Sequence, residues 1–171
     1  VELAQLGVPT TRVAVIHNGT DVPMPVTGGR SESPRLVVLG RLVPHKRVEH
    51  AITVVTRLLP RHPGLRLHIV GDGWWADEIK AAAVAAGVAE HVDLLGHVDE
   101  ATKNSELAAA WLALAPSVKE GWGLSVVEAA SHGTPTLAYR GTGGPSEAIV
   151  DGPTGVLVCD LDAMVHTGDQ L

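Results

Sequence analysis

The stretch RLVVLGRLVPHK, at positions 35–46, decides the expected fold of this chain. Its first half is an unbroken run of Leu and Val, which is typical of a strand buried on both faces of a parallel sheet. Its second half holds a glycine and two cations, and a segment with helical periodicity follows at positions 47–59. The stretch therefore predicts a strand–loop–helix unit whose loop lies at the carboxyl edge of a parallel sheet.

The same unit recurs along the chain. The predicted strands are Val13–Ile16, Arg35–Leu39, Arg66–Val70, Val92–Leu95, Trp111–Ala115, Thr136–Tyr139 and Gly155–Val158. The predicted helices are Arg47–Leu59, Ala76–Ala86, Thr102–Ala109, Leu124–His132 and Ser146–Val150. Strands that alternate with helices in this way indicate an α/β fold with a doubly wound, Rossmann-like parallel sheet.

Composition narrows the class of protein. The 171 residues are 45% hydrophobic and 19% charged, as in a folded domain. The net charge of −6 gives no reason to expect a nucleic-acid partner, so any phosphate binding must come from a local site. The single cysteine, Cys159, ends an apolar run, which favours a half-buried strand thiol over a reactive lone thiol. A lone cysteine also makes the reducing cytosol the expected compartment.

No stretch of the sequence approaches the roughly 20 apolar residues that a membrane span needs. Peripheral contact with the inner face of a membrane is left open for the full-length protein. Residues 19–34 are rich in Gly and Pro without periodicity, which is typical of a linker. We interpret residues 1–33 as the tail of a preceding domain with its linker, and residues 34–171 as a compact unit truncated at its C-terminus.

Arg41 and Lys46 form the first candidate site, beside Gly40. They flank one predicted loop between a strand and a helix. Two cations beside a helix N-terminus suit a diphosphate, whose negative charge grows as a glycosidic bond breaks. The alternative is that both side chains are ordinary solvated cations of a surface loop.

The second candidate site is EGWGLSVVE, at positions 120–128. Gly121 and Gly123 leave backbone N–H groups uncovered where a helix begins, and such groups bind phosphate. Glu120 precedes the helix and Glu128 lies inside it, roughly 10 Å further along. Two carboxylates at this spacing suit a ligand with a hydroxylated ring at each end. The alternatives are a first-turn acid at Glu120 and an exposed mid-helix acid at Glu128, although apolar neighbours of Glu128 weigh against the latter.

Metal sites and covalent nucleophiles have no comparable signal. The nine histidines include no helical i,i+4 pair, and Asp72, Asp93 and Asp99 fall in different turns. Ser125 and Ser131 lack the glycine pattern of a nucleophile elbow. We therefore expect neither a metal site nor a protein nucleophile.

Taken in order, the motifs resemble those of the GT-B glycosyltransferases, specifically the large retaining family numbered four. The matching segments are Gly40-Arg41-Leu42 with Lys46, Val70-Gly71-Asp72-Gly73, Gly96-His97-Val98, Pro116-Ser117, Glu120 to Leu124 with Glu128, Gly133-Thr134-Pro135, Gly143 to Glu147 and Asp151 to Gly155. Each segment is short, but their order is specific to the family. Trp122 stands where Phe is more usual, and Trp74-Trp75 replaces a Pro-Leu-like pair, a departure that concerns local packing.

The resemblance implies that residues 34–171 are the nucleotide-sugar-binding half of a two-domain enzyme. The implied donor is a UDP-sugar or a GDP-sugar, without a cofactor or a metal, and the acceptor and a helpful histidine belong to the N-terminal domain. In that half, the diphosphate is implied to contact Arg41, Lys46 and the N–H groups of Gly123, Leu124 and Ser125. Glu120 is implied to contact the sugar, Glu128 the ribose, and the backbone near Val98 the base. The neighbouring Gly40 and Gly121 complete the implied site.

The resemblance also implies a retaining mechanism by front-face attack, in which the leaving diphosphate accepts the proton of the acceptor. Related alternatives are a GT-B phosphorylase, which needs a lysine-bound cofactor, and a sugar-nucleotide epimerase, which needs other carboxylates and histidines. A further alternative is a binding module without catalysis, although the presence of Arg41, Lys46 and Glu120 favours the enzyme. We expect the chain alone to bind the donor without transferring its sugar.

Overall fold

Strands and helices alternate along the chain. The computed structural model describes residues 4, 6–14, 16, 18–20 and 29–170. The strands are β1 (Arg35–Leu39), β2 (Arg66–Val70), β3 (Val92–Gly96), β4 (Leu112–Ala115), β5 (Thr136–Tyr139) and β6 (Gly155–Val158). The helices are α1 (Val48–Leu58), α2 (Ala76–Ala85), α3 (Glu100–Ala109), α4 (Leu124–Ser131), α5 (Pro145–Ala148) and α6 (Leu161–Gly168). Short 3₁₀ turns cover Thr10–Arg12, Pro44–Lys46 and Ala89–His91.

All six strands form one parallel sheet in the order β3-β2-β1-β4-β5-β6. The central strand β1 pairs with β2 on one side and with β4 on the other, so that Leu36 lies opposite both Leu67 and Leu112. The strand order reverses between β1 and β4, and ligands of such sheets bind in the crevice that this reversal opens at the carboxyl edge. The fold therefore directs attention to the loops that follow β1 and β4.

Helices cover both faces of the sheet because side chains of successive strand residues point to opposite faces. Leu36 and Val38 of β1 pack in a core cluster with residues of α1, α2 and α6. Val37, between them, packs with Leu107 of α3 and Ala129 of α4 on the other face. This arrangement explains why the strand sequences are apolar throughout, and it confirms the predicted doubly wound fold.

The predicted elements between residues 35 and 158 are confirmed, with ends that differ by at most two residues. Helix α3 begins earlier than predicted because the Asp99 carboxylate accepts a hydrogen bond of 2.8 Å from the Thr102 N–H and caps the helix. The predicted strand Val13–Ile16 includes Val15, which lies outside the described residues, and no strand is assigned to Val13, Ala14 or Ile16. The predicted half-burial of Cys159 is wrong: β6 ends at Val158, and the thiol is exposed.

A short segment before β1 is attached to the amino edge of the sheet. The Arg30 guanidinium donates hydrogen bonds to the carbonyl oxygens of Ala110 at 2.8 Å, Trp111 at 3.0 Å and Gly133 at 2.5 Å. The Trp111 indole in turn donates to the carbonyl oxygen of Ser31 at 2.7 Å. Much of the predicted linker, residues 21–28, lies outside the described residues. The contacts of Arg30 and Ser31 show that the last residues of the predicted linker pack against the compact unit.

Candidate functional site

A cavity of about 630 Å³ opens at the carboxyl edge of the sheet, at the strand reversal. This volume lies within the range of pockets that hold small molecules. Its walls come from the loops after β1, β2, β3 and β4 and from the first turns of α3 and α4. The lining residues are Asn18, Leu39, Gly40, Arg41, Lys46, Val70, Gly71, Asp72, His97, Val98, Glu100, Lys103, Glu120, Trp122, Gly123, Leu124, Ser125 and Glu128.

The loop after β1 is held against the loop after β2. The Gly40 N–H donates to the Val70 carbonyl, and the Leu42 N–H donates to the Asp72 carbonyl, both at 3.0 Å. Gly71 has φ +132°, and a Cβ there would lie 1.9 Å from the Gly40 carbonyl oxygen, so only glycine allows this contact. The contact places Arg41 at the cavity with its side chain exposed, and Arg41 has no ion-pair partner among the described residues.

Lys46 ends a 3₁₀ turn that leads into α1. The Val118 N–H donates to the His45 carbonyl at 2.8 Å and joins this turn to the loop after β4. The Lys46 ammonium group pairs with Oε1 of Glu120. Only 18% of the lysine side chain and 14% of the glutamate side chain are exposed, so each charge depends largely on the other.

The backbone of Glu120 is fixed by the loop after β5. The Glu120 N–H donates to the Thr142 carbonyl at 2.7 Å, and the Glu120 carbonyl accepts from the Gly144 N–H at 3.1 Å. This loop approaches so closely that a Cβ on Gly144 would lie 2.3 Å from Cα of Trp122. The glycines of this loop therefore serve packing against the site, and they do not line the cavity themselves.

Helix α4 points its N-terminus at the cavity. Gly123 precedes it with φ +83°, and the first intrahelical bond runs from the Val126 N–H to the Gly123 carbonyl at 2.9 Å. Within the part of the chain that the structure describes, the N–H groups of Gly123, Leu124 and Ser125 have no acceptor. Free N–H groups at a helix N-terminus carry partial positive charge and are suited to an anion.

A second ion-pair group lies where α3 meets α4. The Lys103 ammonium group lies 2.7 Å from Oε1 of Glu128 and 2.8 Å from Oε2 of Glu100. Partial burial acts to lower the pKa of Lys103, but the hydrogen bonds to these two carboxylates outweigh it and raise the pKa above its ordinary value. Lys103 therefore stays charged throughout the neutral range, and Glu128, like Glu120, has a lysine partner in the cavity.

The structure brings nine of the ten predicted site residues into this cavity: Gly40, Arg41, Lys46, Val98, Glu120, Gly123, Leu124, Ser125 and Glu128. The tenth, Gly121, is exposed and is not among the lining residues. Their contacts with a ligand remain predictions.

Sequence reasoning missed several lining residues, including Asn18, His97, Glu100 and Lys103. Glu100 and Lys103 had a usable signal, because they form an i,i+3 pair at the start of a helix on the carboxyl edge. Asn18 had none, since it falls in a segment without periodicity.

Two features are absent from the described residues. No group of three or more His, Cys, Asp or Glu side chains there is arranged to hold a metal ion. No helix among those residues is long and apolar enough to cross a membrane.

Comparison with known proteins identifies the family. The sequence model of the family described as glycosyl transferases group 1 matches residues 24–165. An exopolysaccharide phosphotransferase of Streptomyces coelicolor is 37% identical over 155 residues, which are 90% of this chain and 16% of that protein. A glycogen synthase of Mycobacterium tuberculosis is 35% identical over 165 residues, which are 94% of this chain and 40% of that protein. The chain thus spans well under two thirds of the length of these relatives.

Solved structures agree with the sequence comparison. A variant of TarM from Staphylococcus aureus, in complex with fondaparinux, α-GlcNAc-glycerol and UDP, superimposes with a TM-score of 0.87 at 26% identity. The match covers 99% of this chain and 34% of that one. HepE of Anabaena, in complex with UDP and glucose, has the same fold over 98% of this chain, with a TM-score of 0.84 and 22% identity. With the family model matching most of its length and GT-B enzymes sharing its sheet, this chain belongs to the group 1 glycosyl transferases.

Proposed function

We propose that this chain binds a nucleoside diphosphate sugar in the cavity and supplies the donor-binding half of a retaining, metal-independent glycosyl transfer. One observation carries the proposal: a single cavity is lined by two lysine–glutamate pairs, Lys46 with Glu120 and Lys103 with Glu128, and along the chain the two glutamates lie on either side of free amides at a helix N-terminus. This order matches the order of groups in a sugar nucleotide, with a sugar at one end, the diphosphate in the middle and a ribose at the other.

The diphosphate lies between Arg41, Lys46 and the N-terminus of α4 in the proposed complex. Arg41 is available because it has no ion-pair partner among the described residues, and the amides of Gly123 to Ser125 are likewise unoccupied within that part of the chain. Lys46 has three N–H donors and can contact a phosphate oxygen while it keeps Glu120. These groups stabilise the charge that the leaving diphosphate gains as the glycosidic bond breaks.

Glu120 and Glu128 bind the two hydroxylated rings in this proposal. Carboxylates accept hydrogen bonds from vicinal hydroxyl groups, and each glutamate is held in place by a lysine. Glu120 contacts the transferred sugar, Glu128 contacts the ribose, and the backbone near Val98 faces the base. From the family resemblance we assign it the front-face retaining mechanism, with the leaving diphosphate as the proton acceptor and Glu120 as a hydrogen-bond partner of the sugar. Its part is positioning and charge stabilisation.

We further propose that residues 34–171 form the donor domain and that residues 1–33 lead from an acceptor domain. The acceptor is then bound by parts of the full-length protein beyond this chain. Because the donor is a nucleotide sugar, we assign the enzyme to the cytosol, where it can contact the inner face of a membrane. The Streptomyces relative is named a phosphotransferase, but this chain matches only 16% of that protein. We therefore do not extend the phosphotransferase activity to this chain.

A thermal-shift panel tests the proposal directly. The chain is melted with UDP, UDP-glucose, GDP and GDP-mannose in excess EDTA, and then again with Mg²⁺ or Mn²⁺. At a hundred times its Kd a ligand stabilises the native state by about 2.7 kcal/mol, which raises the Tm of a domain of this size by roughly 5–10 °C. A shift that needs the metal contradicts the metal-independent part of the proposal. No shift with any of the four ligands contradicts the proposal as a whole.

A further inference from the structure

Ser117 is a buried polar residue to which the proposed function assigns no task. It follows β4 directly after Pro116, and only 2% of it is exposed. Its hydroxyl group donates a hydrogen bond of 2.6 Å to Oε1 of Glu120. Ser117 is not among the residues that line the main cavity; with Lys46 and Glu120 it lines an adjoining pocket of about 10 Å³, which is too small for a ligand. Any effect of Ser117 on the ligand must therefore pass through the glutamate.

Glu120 receives both of its side-chain hydrogen bonds on the same oxygen. Lys46 and Ser117 each donate to Oε1. Among the described residues, Oε2 has no hydrogen-bond donor. The carboxylate is thus held by one oxygen and presents the other, and the paired backbone bonds to Thr142 and Gly144 stop the main chain from shifting.

The two donors differ in what happens when a diphosphate arrives. The Lys46 ammonium is a flexible cation that lines the cavity, and a phosphate with two negative charges competes with Glu120 for it. The Ser117 hydroxyl is neutral and buried, a phosphate in the main cavity does not compete for it as it does for a cation, and Glu120 is its hydrogen-bond acceptor among the described residues. Ser117 therefore keeps its full hold on Glu120 when Lys46 shares its donors between Glu120 and the phosphate.

We propose that Ser117 is a positioning residue that fixes Glu120 so that its free oxygen meets the hydroxyl groups of the donor sugar. The inference rests on the proposed function of Glu120. It predicts that Ser117 affects recognition of the sugar but not recognition of the nucleoside diphosphate. The measurable quantity is the sugar factor, defined as the Kd of the nucleoside diphosphate divided by the Kd of the corresponding nucleotide sugar.

Calorimetry on this chain provides the test, with UDP against UDP-glucose and GDP against GDP-mannose as probes. Ser117→Ala should lower the sugar factor about three- to tenfold, the effect of one hydrogen bond, while the Kd of the nucleoside diphosphate changes less than twofold. Ser117→Cys keeps the size of the side chain but donates weakly, and it should give an intermediate loss. Should Ser117→Ala not fold, the cysteine variant alone decides the outcome.

A matched background separates positioning from a general structural effect. In Glu120→Ala, which has lost the carboxylate, Ser117→Ala should lower the sugar factor no further. Equal losses for nucleoside diphosphate and nucleotide sugar, or an unchanged sugar factor, would overturn the role of Ser117 while leaving the proposed function intact. If the unaltered chain binds neither nucleoside diphosphate, the proposed function itself is wrong, and the role of Ser117 falls with it.

Discussion

Arg41 and Lys46 are both cations that line the cavity, but their surroundings differ. Arg41 is exposed and has no ion-pair partner among the described residues, whereas Lys46 is mostly buried against Glu120. Removing Arg41 takes away one contact with an anion. Removing Lys46 takes away a contact and also leaves a buried carboxylate facing the ligand without its counter-ion, which repels negative charge. The two positions should therefore weaken anion binding to different extents.

We expect Arg41→Ala and Lys46→Ala each to weaken binding of UDP or GDP while leaving binding of uridine or guanosine nearly unchanged. The expected loss is about 1.5 kcal/mol for Arg41 and up to about 3 kcal/mol for Lys46, the range for hydrogen bonds to charged groups. Calorimetry with each nucleoside and its diphosphate measures the difference. Similar losses for the nucleoside and the diphosphate would show that neither side chain contacts the phosphates.

Lys103 offers a second test at the same scale, and Lys80 is its matched control. Both lysines pair with an acid three residues earlier, Lys103 with Glu100 and Lys80 with Asp77, but only Lys103 also reaches Glu128 and the cavity. Lys103→Met removes the group that orients Glu128. We expect it to weaken UDP binding by about 1 kcal/mol, and 2′,3′-dideoxy-UDP binding by clearly less, because the dideoxy ligand lacks the hydroxyl groups for Glu128.

Lys80→Met should leave both affinities unchanged. If Lys103→Met weakened the two ligands equally, its effect would be long-range charge alone, and Glu128 would not be the ribose contact.

At the scale of elements, the strands and helices could be predicted well because the residues of each segment determine its own secondary structure. The run LVVL of β1 is apolar on both faces, and the strand–helix alternation follows from such runs. The contacts that build the site join residues that are distant in sequence. Lys46 and Glu120 are 74 residues apart, and Lys103 and Glu128 are 25 apart on two different helices. Which side chains meet depends on the order of strands in the sheet, and no single segment contains that order.

The loop after β5 provides a prediction about packing. A Cβ on Gly144 would lie 2.2–2.3 Å from backbone atoms of Trp122. A flexible side chain could relieve such a clash by changing its rotamer, but the backbone cannot. Gly144→Ala should therefore destabilise the domain by about 1–3 kcal/mol and lower its Tm by several degrees. A Cβ on Gly121, in the neighbouring loop, would meet nothing within 4 Å, and its φ is ordinary. Gly121→Ala is thus the matched control and should change the Tm little.

Equal Tm values for Gly144→Ala and Gly121→Ala would contradict the close contact between the loops after β4 and β5. Because the Gly144 N–H also binds the Glu120 carbonyl, Gly144→Ala should in addition lower the affinity for nucleotide sugars.

On the scale of the whole molecule, the cations that suit a diphosphate are concentrated in one place on a chain of net charge −6. Binding of an anion therefore depends on the local cavity and not on a general surface field. The cavity also gathers every group that the proposed donor complex requires on this chain, from Arg41 to Glu128. The chain spans only 40% of the length of the mycobacterial glycogen synthase.

The last prediction is that this chain alone binds the donor but does not transfer its sugar. Holding two reactants in the productive orientation can lower a barrier by roughly 7–11 kcal/mol, and a chain that binds one of them cannot supply that part of catalysis. Donor binding should survive, because Lys46, Glu120, Lys103 and Glu128 are already paired and positioned on this chain without a second domain. Nucleotide binding is measured by calorimetry, and transfer by product analysis after prolonged incubation with UDP-glucose or GDP-mannose and candidate acceptors. Efficient transfer by this chain would refute the division of donor and acceptor between two domains, whereas the absence of nucleotide binding at millimolar concentration would refute the donor site.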